Sequence, residues 1–205
     1  MQGHGGNKRG GKGGGGGGGQ SDRPNYFICV TLKDARIRAA LVKEQTRLGI
    51  QELLQIPDSK FHFTLNLLRL PNESACSTVQ QVLDRALAST WAFEQKVAGV
   101  DSFGKNVVVA KAAGEHSELS LLQKTIEEAL GKECGELLHK EDRAWKAHCT
   151  LFKGRAASGQ DFKLDQNADF GTDMIDEVQI CRMGSGNDKD GYDVHGRLII
   201  LFRLT

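Results

Sequence analysis

The chain has no run of about 18 apolar residues, the length a helix needs to cross a bilayer. No apolar segment of signal-peptide type stands at its N-terminus. An excess of either charge is missing as well: 27 Lys and Arg face 26 Asp and Glu, for a formal net charge of +1. The first 20 residues contribute Lys8, Arg9 and Lys12 and no acid, which leaves 24 basic against 26 acidic residues in the remainder. A protein that grips long nucleic acid through many phosphates is usually clearly basic. Any nucleic acid held here is therefore expected to be a short piece or an end, at a local site. Paired cysteines are also lacking. Cys29, Cys76, Cys134, Cys149 and Cys181 are odd in number, and no two have CxxC spacing. That argues against a disulfide framework and a zinc knuckle. Each lies in or near an apolar run, so all five are expected to pack in a core. These absences lead us to expect a soluble protein of a reducing compartment, the cytoplasm or the nucleus.

Glycine, by contrast, is crowded at one end: residues 3–19 hold 12 of the 25 glycines and nothing apolar. Such a segment cannot bury enough surface to offset its ordering entropy, so residues 1–20 are expected to be disordered. Arg9-Gly10-Gly11 within it reads as part of a flexible extension. Residues 21–205 then suit one domain.

Strand and helix patterns alternate along that domain. Residues 26–32 (YFICVTL) form a buried-strand run, and residues 34–48 place Ile37, Leu41 and Leu48 on one helical stripe. Residues 61–70 (FHFTLNLLRL) read as a strand stopped by Pro71. Asn72 is then placed to cap a helix whose inward residues are Val79, Val82, Leu83, Ala86 and Leu87. Strands are expected near 91–100 and 106–112, with a turn at Gly104, and a helix over 117–130. Further strands are expected at 147–153, 174–183 and 196–204, the last two joined by the loop from Gly184 to Gly191. The class is α+β.

Two short segments repeat one pattern. His62-Phe63-Thr64-Leu65 and His148-Cys149-Thr150-Leu151 both read His-x-Thr-Leu, each on an expected strand. Two of six histidines would share that context by chance roughly one time in a thousand. Side chains alternate faces along a strand, so His62 and Thr64 point one way while Phe63 and Leu65 point the other. The second copy repeats the arrangement, with Cys149 and Leu151 turned away. Two imidazoles and two hydroxyls can thus surround one cleft. A neutral imidazole can take a proton from an attacking hydroxyl or water, and a protonated one can give a proton to the leaving oxygen. Histidine suits both roles because its ordinary pKa is near 6.5. The threonine hydroxyls can donate to phosphoryl oxygens as charge develops there. The scheme uses no metal or cofactor, and none is expected. The division of acid and base between the two histidines stays open at this point. A zinc site built from His62, His148 and a cysteine is disfavoured, because Cys149 points away from His148.

The doubled motif on two strands resembles the 2H phosphoesterase superfamily, which includes the LigT-type RNA cyclic phosphodiesterases. Supporting residues resemble the gamma-type A-kinase anchor protein central domain and leukocyte-receptor-cluster branch. They are Pro24-Asn25-Tyr26-Phe27, Ser59-Lys60-Phe61, Ser102-Phe103-Gly104, Trp145-Lys146 and Gly191-Tyr192. The likeness spans roughly residues 24–205, with one departure: Ala147 stands where this branch often has proline. The resemblance implies a bilobal fold of two pseudo-symmetric antiparallel sheets, with outer helices and a central cleft. It implies catalysis by His62, Thr64, His148 and Thr150 on 2′,5′-linked oligoadenylate, on RNA 2′,3′-cyclic phosphate ends, or a nucleotide-binding role such as AMP binding. The protein is expected to act as a monomer.

Phe103, Trp145, Tyr192 and Tyr26 are candidates to contact the substrate, since aromatic rings stack on bases. Tyr26 and Phe27 also read as core or cleft wall. Arg69, Lys153 and Arg182 lie near the motif strands, where a solvated role competes with phosphate attraction. Asp188-x-Asp190-Gly191-x-Asp193 lacks the glycine and glutamate of a calcium loop and reads as a hairpin connection. Asp188 also stands where a nucleotidyl ligase needs lysine.

Overall fold

The computed structural model describes residues 23–114, 117–154, 161–184 and 191–201. The glycine-rich tail, His116, Asp188 and Asp190 lie outside the described residues. In chain order the elements are β1 (Tyr26–Thr31), α1 (Ala35–Arg47), β2 (His62–Leu68), α2 (Glu73–Ala86), β3 (Phe93–Ser102) and β4 (Val107–Ala112). They continue with α3 (Glu118–Cys134), β5 (Leu138–His139), β6 (His148–Lys153), β7 (Asp169–Ile175), β8 (Glu177–Arg182) and β9 (Val194–Ile199).

The strands form two antiparallel sheets, of order β5-β2-β1-β8-β9 and β6-β4-β3-β7. One motif strand lies in each, which is the bilobal α+β arrangement expected. Helix α2 packs on α3 and β9, α3 on β2 and β5, and α1 on β7. All five cysteines are buried and free.

Local chemistry sets the helix ends. The Asn72 side chain accepts the Ala75 N–H at 3.0 Å and starts α2. Helix α1 stops at Gly49, whose φ of 68° is a conformation other residues resist. There Gly49 N–H bonds the Thr46 carbonyl and Ile50 N–H the Gln45 carbonyl, which satisfies the last turn.

Two expectations need correction. Residues 174–183, read as one strand, hold the end of β7 and all of β8, with a break at Asp176. The first part of β7 escapes the pattern because its inward residues are Asp173 and Ile175. Asp173 is buried because it serves another element: its carboxylate accepts Lys33 N–H at 2.6 Å and Asp34 N–H at 3.2 Å, just before α1. Strand β5 is absent from the sequence reading because two residues carry no readable period. Leu138 and His139 become a strand only by pairing with Leu68 and Leu67.

Candidate active site

Strand alternation places the motif side chains as their spacing demands. Phe63, Leu65, Cys149 and Leu151 are buried in the core. His62, Thr64, His148 and Thr150 are half-buried and line one cleft of ≈ 1590 Å³. Strands β2 and β6 touch across the two sheets, which brings the motifs together.

The two histidines are held by the same bond. His62 Nδ1 lies 2.7 Å from the Lys60 carbonyl, and His148 Nδ1 lies 2.7 Å from the Lys146 carbonyl. A carbonyl only accepts, so Nδ1 carries the hydrogen in both rings and Nε2 is left for proton transfer. The repeat is therefore Lys-x-His-x-Thr-Leu, longer than the His-x-Thr-Leu pattern alone. Its extra members hold the two imidazoles through their backbone oxygens. In the first motif the Thr64 hydroxyl donates to His62 Nε2 at 3.1 Å.

Aromatic rings brace each imidazole. Tyr192 meets His62 edge to face at 5.2 Å between centroids, and Phe103 meets His148 the same way at 4.9 Å. Tyr192 enters from the β8–β9 connection and Phe103 from the β3–β4 connection, so each sheet supports its own histidine. Gly191, next to Tyr192, packs closely against Ser59. A Cβ there would sit 2.9 Å from the Ser59 carbonyl oxygen, and φ is 84°. Burial pushes the Tyr192 hydroxyl up to about 12, so it stays protonated at neutral pH. Burial also holds His62 down to about 4, opposed by the Lys60 carbonyl and helped by the charge of His148.

Of the four aromatic substrate-contact candidates, three line the cleft: Phe103, Trp145 and Tyr192. Trp145 has a fixed role there, since its Nε1–H donates to the Thr64 carbonyl at 2.9 Å and ties β6 to β2. Tyr26 is the correction. It faces the core and packs against His195, 5.1 Å between centroids, away from the cleft. Its neighbour Phe27 takes the cleft position, 5.1 Å from His62. Lys153 lines the cleft, whereas Arg69 and Arg182 are not among the lining residues. Nothing in the linear pattern points to Arg23, Lys124, Lys140 and Arg143, which join Lys146 and Lys153 there, with Glu127 and Glu141 as the acids among the described residues. These basic residues come from four separate stretches of chain, so only folding reveals them as one patch. Among the described residues no three His, Cys, Asp or Glu side chains converge as a metal-binding set. No helix among them is long and apolar enough to cross a membrane.

The fold is shared with solved structures. No curated protein sequence matches the chain. Among solved structures, TT0787 of Thermus thermophilus superposes with a TM-score of 0.72 at 20% identity, over 88% of this chain and 100% of that one. A structure described as a phosphoesterase gives 0.68 at 15% identity, over 88% and 99%. E. coli LigT complexed with 3′-AMP gives 0.66 at 13% identity, over 86% and 98%. At such identities these likenesses establish the fold. The family model described as the AKAP7 2′5′ RNA ligase-like domain matches residues 24–198, which is most of the chain. The chain therefore belongs to the AKAP7 2′5′ RNA ligase-like family and is a phosphodiesterase of the 2H type.

Proposed function

We propose that the protein cleaves 2′,5′-linked oligoadenylate by metal-independent acid–base catalysis between His62 and His148. The observation that carries this reading is the matched pair of Nδ1–carbonyl bonds, which leave two Nε2 atoms for one cleft. In the first step the free 3′-hydroxyl attacks the phosphorus while one imidazole removes its proton. The other imidazole gives a proton to the departing 5′-oxygen, and a 2′,3′-cyclic phosphate remains. Water can open that ring in a second step with the two roles exchanged. His62, held down to about 4, is neutral at pH 7 in the free protein. That form accepts a proton, so His62 is assigned as base in the first step and His148 as acid. Thr150 and, once its hydroxyl turns from His62 Nε2 to the substrate, Thr64 supply donors for the non-bridging oxygens.

The cleft has room for an oligonucleotide. Sites for compact ligands run to about 1,000 Å³, and this cleft is ≈ 1590 Å³. Its basic lining suits phosphates. LigT has been crystallised in complex with 3′-AMP, ATP and NADP+, which accords with nucleotide binding by this fold.

The test is an assay in EDTA with 2′,5′-triadenylate, 3′,5′-triadenylate and adenosine 2′,3′-cyclic phosphate. The 2′,5′ trimer is expected to be cleaved, and His62→Ala and His148→Ala each to lose about 10²–10⁴-fold in rate. Turnover of the cyclic phosphate alone would move the role to RNA-end processing. Binding of AMP without any turnover would favour a nucleotide-binding module.

A further inference from the structure

We propose that the two histidines are held at their working separation by a clasp outside the cleft, with the buried amide of Gln45 as its positioning residue. This deepens the acid–base reading above and rests on it, since proton transfer through two imidazoles depends on their spacing. Strand β6 is the edge of its sheet, so one side of its backbone has no strand partner there. That free edge docks on the chain leading into β2. Gln55 and Phe152 form an isolated antiparallel bridge, and Ile56 N–H donates to the Leu151 carbonyl at 3.3 Å. Gln45 of α1, 0% exposed, closes the seam. Its Nε2 donates one hydrogen to the Leu151 carbonyl and the other to the Ile56 carbonyl, each at 2.9 Å. Carbonyls only accept, so the orientation of the amide is fixed.

Each of those carbonyls belongs to one half of the site. Leu151 ends the second motif. Ile56 lies one short turn before Lys60, whose carbonyl holds His62 Nδ1. A second bond clasps the other end of β6. Strand β5 reaches only Leu67 and Leu68 of β2, and beyond it the Thr64 carbonyl takes the Trp145 indole N–H. Between the two clasps the His62 N–H donates to the Cys149 sulfur. His148 and Thr150 thus stand on a strand pinned at both ends to the segment that carries His62 and Thr64.

The amide carries a cost. Gln45 Oε1 is buried and has no hydrogen-bond partner, whereas buried polar groups are bonded in roughly 90% or more of cases. An apolar side chain at this place in α1 would bury no such oxygen. What it would lose is the bond between the two halves of the site. Gln45 is not among the described residues that line the cleft, so it acts on the reaction only through that bond.

The experiment compares Gln45→Met, of like shape without the donor, with wild type on 2′,5′-triadenylate below the melting temperature. A fall in kcat of about 10–10²-fold is expected, with KM little changed. On the His148→Ala background the same substitution is expected to cost less than about twofold, because with one histidine there is no separation left to hold. Trp145→Phe keeps the ring and removes the N–H, and is expected to repeat the pattern if Gln45→Met fails to fold. Equal losses on both backgrounds would overturn the proposal, as would a lowered melting temperature with kcat unchanged. A readout without turnover decides the same point. His62, held down to about 4 by burial, is expected to titrate nearer to about 6.5 by imidazole NMR in Gln45→Met, as water enters the loosened seam. An unmoved titration would overturn the clasp. Failure of the wild type to cleave any oligonucleotide would overturn the catalytic reading alone, since the titration still decides the clasp.

Discussion

A histidine works as acid or base only when one ring nitrogen is held and the other faces the substrate. At His62 the Lys60 carbonyl takes Nδ1–H, and the ring lines the cleft, with the Thr64 hydroxyl donating to Nε2. Its environment also has a thermodynamic signature. The ordinary histidine pKa is near 6.5, and burial holds His62 down to about 4. Between those values the unfolded chain binds a proton that the folded protein does not. Stability therefore falls as pH drops from about 6.5 to 4 and levels below it, by at most about 3 kcal/mol. His62→Gln is expected to remove that slope in urea denaturation measured across the window. An unchanged slope would mean that His62 is not desolvated. At the second motif, Thr150→Val keeps the shape and removes one phosphate donor. A loss of about 10²-fold in kcat is expected, with the melting temperature little changed.

Elements differ in how much of them the sequence discloses, and the reasons are physical. The motif strands are readable because Phe63, Leu65, Cys149 and Leu151 alternate with polar side chains, and alternation is a local property of a strand. Strand β7 is hidden because its inward Asp173 answers the backbone of a distant segment. Choosing Phe27 over Tyr26 for the cleft is beyond local pattern as well. Adjacent residues on a strand face opposite ways, and which way is inward depends on the neighbouring sheet. The basic cleft lining is illegible for the same reason. Asp173 offers the sharpest test at this scale. Its carboxylate holds two N–H groups ahead of α1, and Lys33 Nζ reaches Asp176 just past β7 at 2.6 Å. Asp173→Ala leaves those donors unpaired and is expected to cost about 1–3 kcal/mol in urea denaturation. Since the motif strands are untouched, kcat at low temperature is expected to stay near wild type.

On the scale of the whole molecule, charge is arranged and not accumulated. The chain is almost neutral, yet among the described residues six Lys and Arg against two Glu line the cleft that holds both motifs. Low overall charge gives little long-range attraction for extended nucleic acid, while the cleft can still grip a few phosphates. These two statements fix a salt dependence. Single-stranded ligands release counterions with a slope of about −0.7 per phosphate contacted. A trimer has two internucleotide phosphates, so log kcat/KM against log salt is expected to run near about −1.4. The cyclic mononucleotide, with one phosphate, is expected near about −0.7. Replacing Lys146 and Lys153 with Gln should flatten the trimer's slope and leave the pH profile in place, because neither side chain carries the transferred proton. A much steeper slope would mean that surfaces outside the cleft also hold phosphate. The substrate would then be a long strand and not a short oligonucleotide, and the near-neutral charge would be no guide to what this cleft binds.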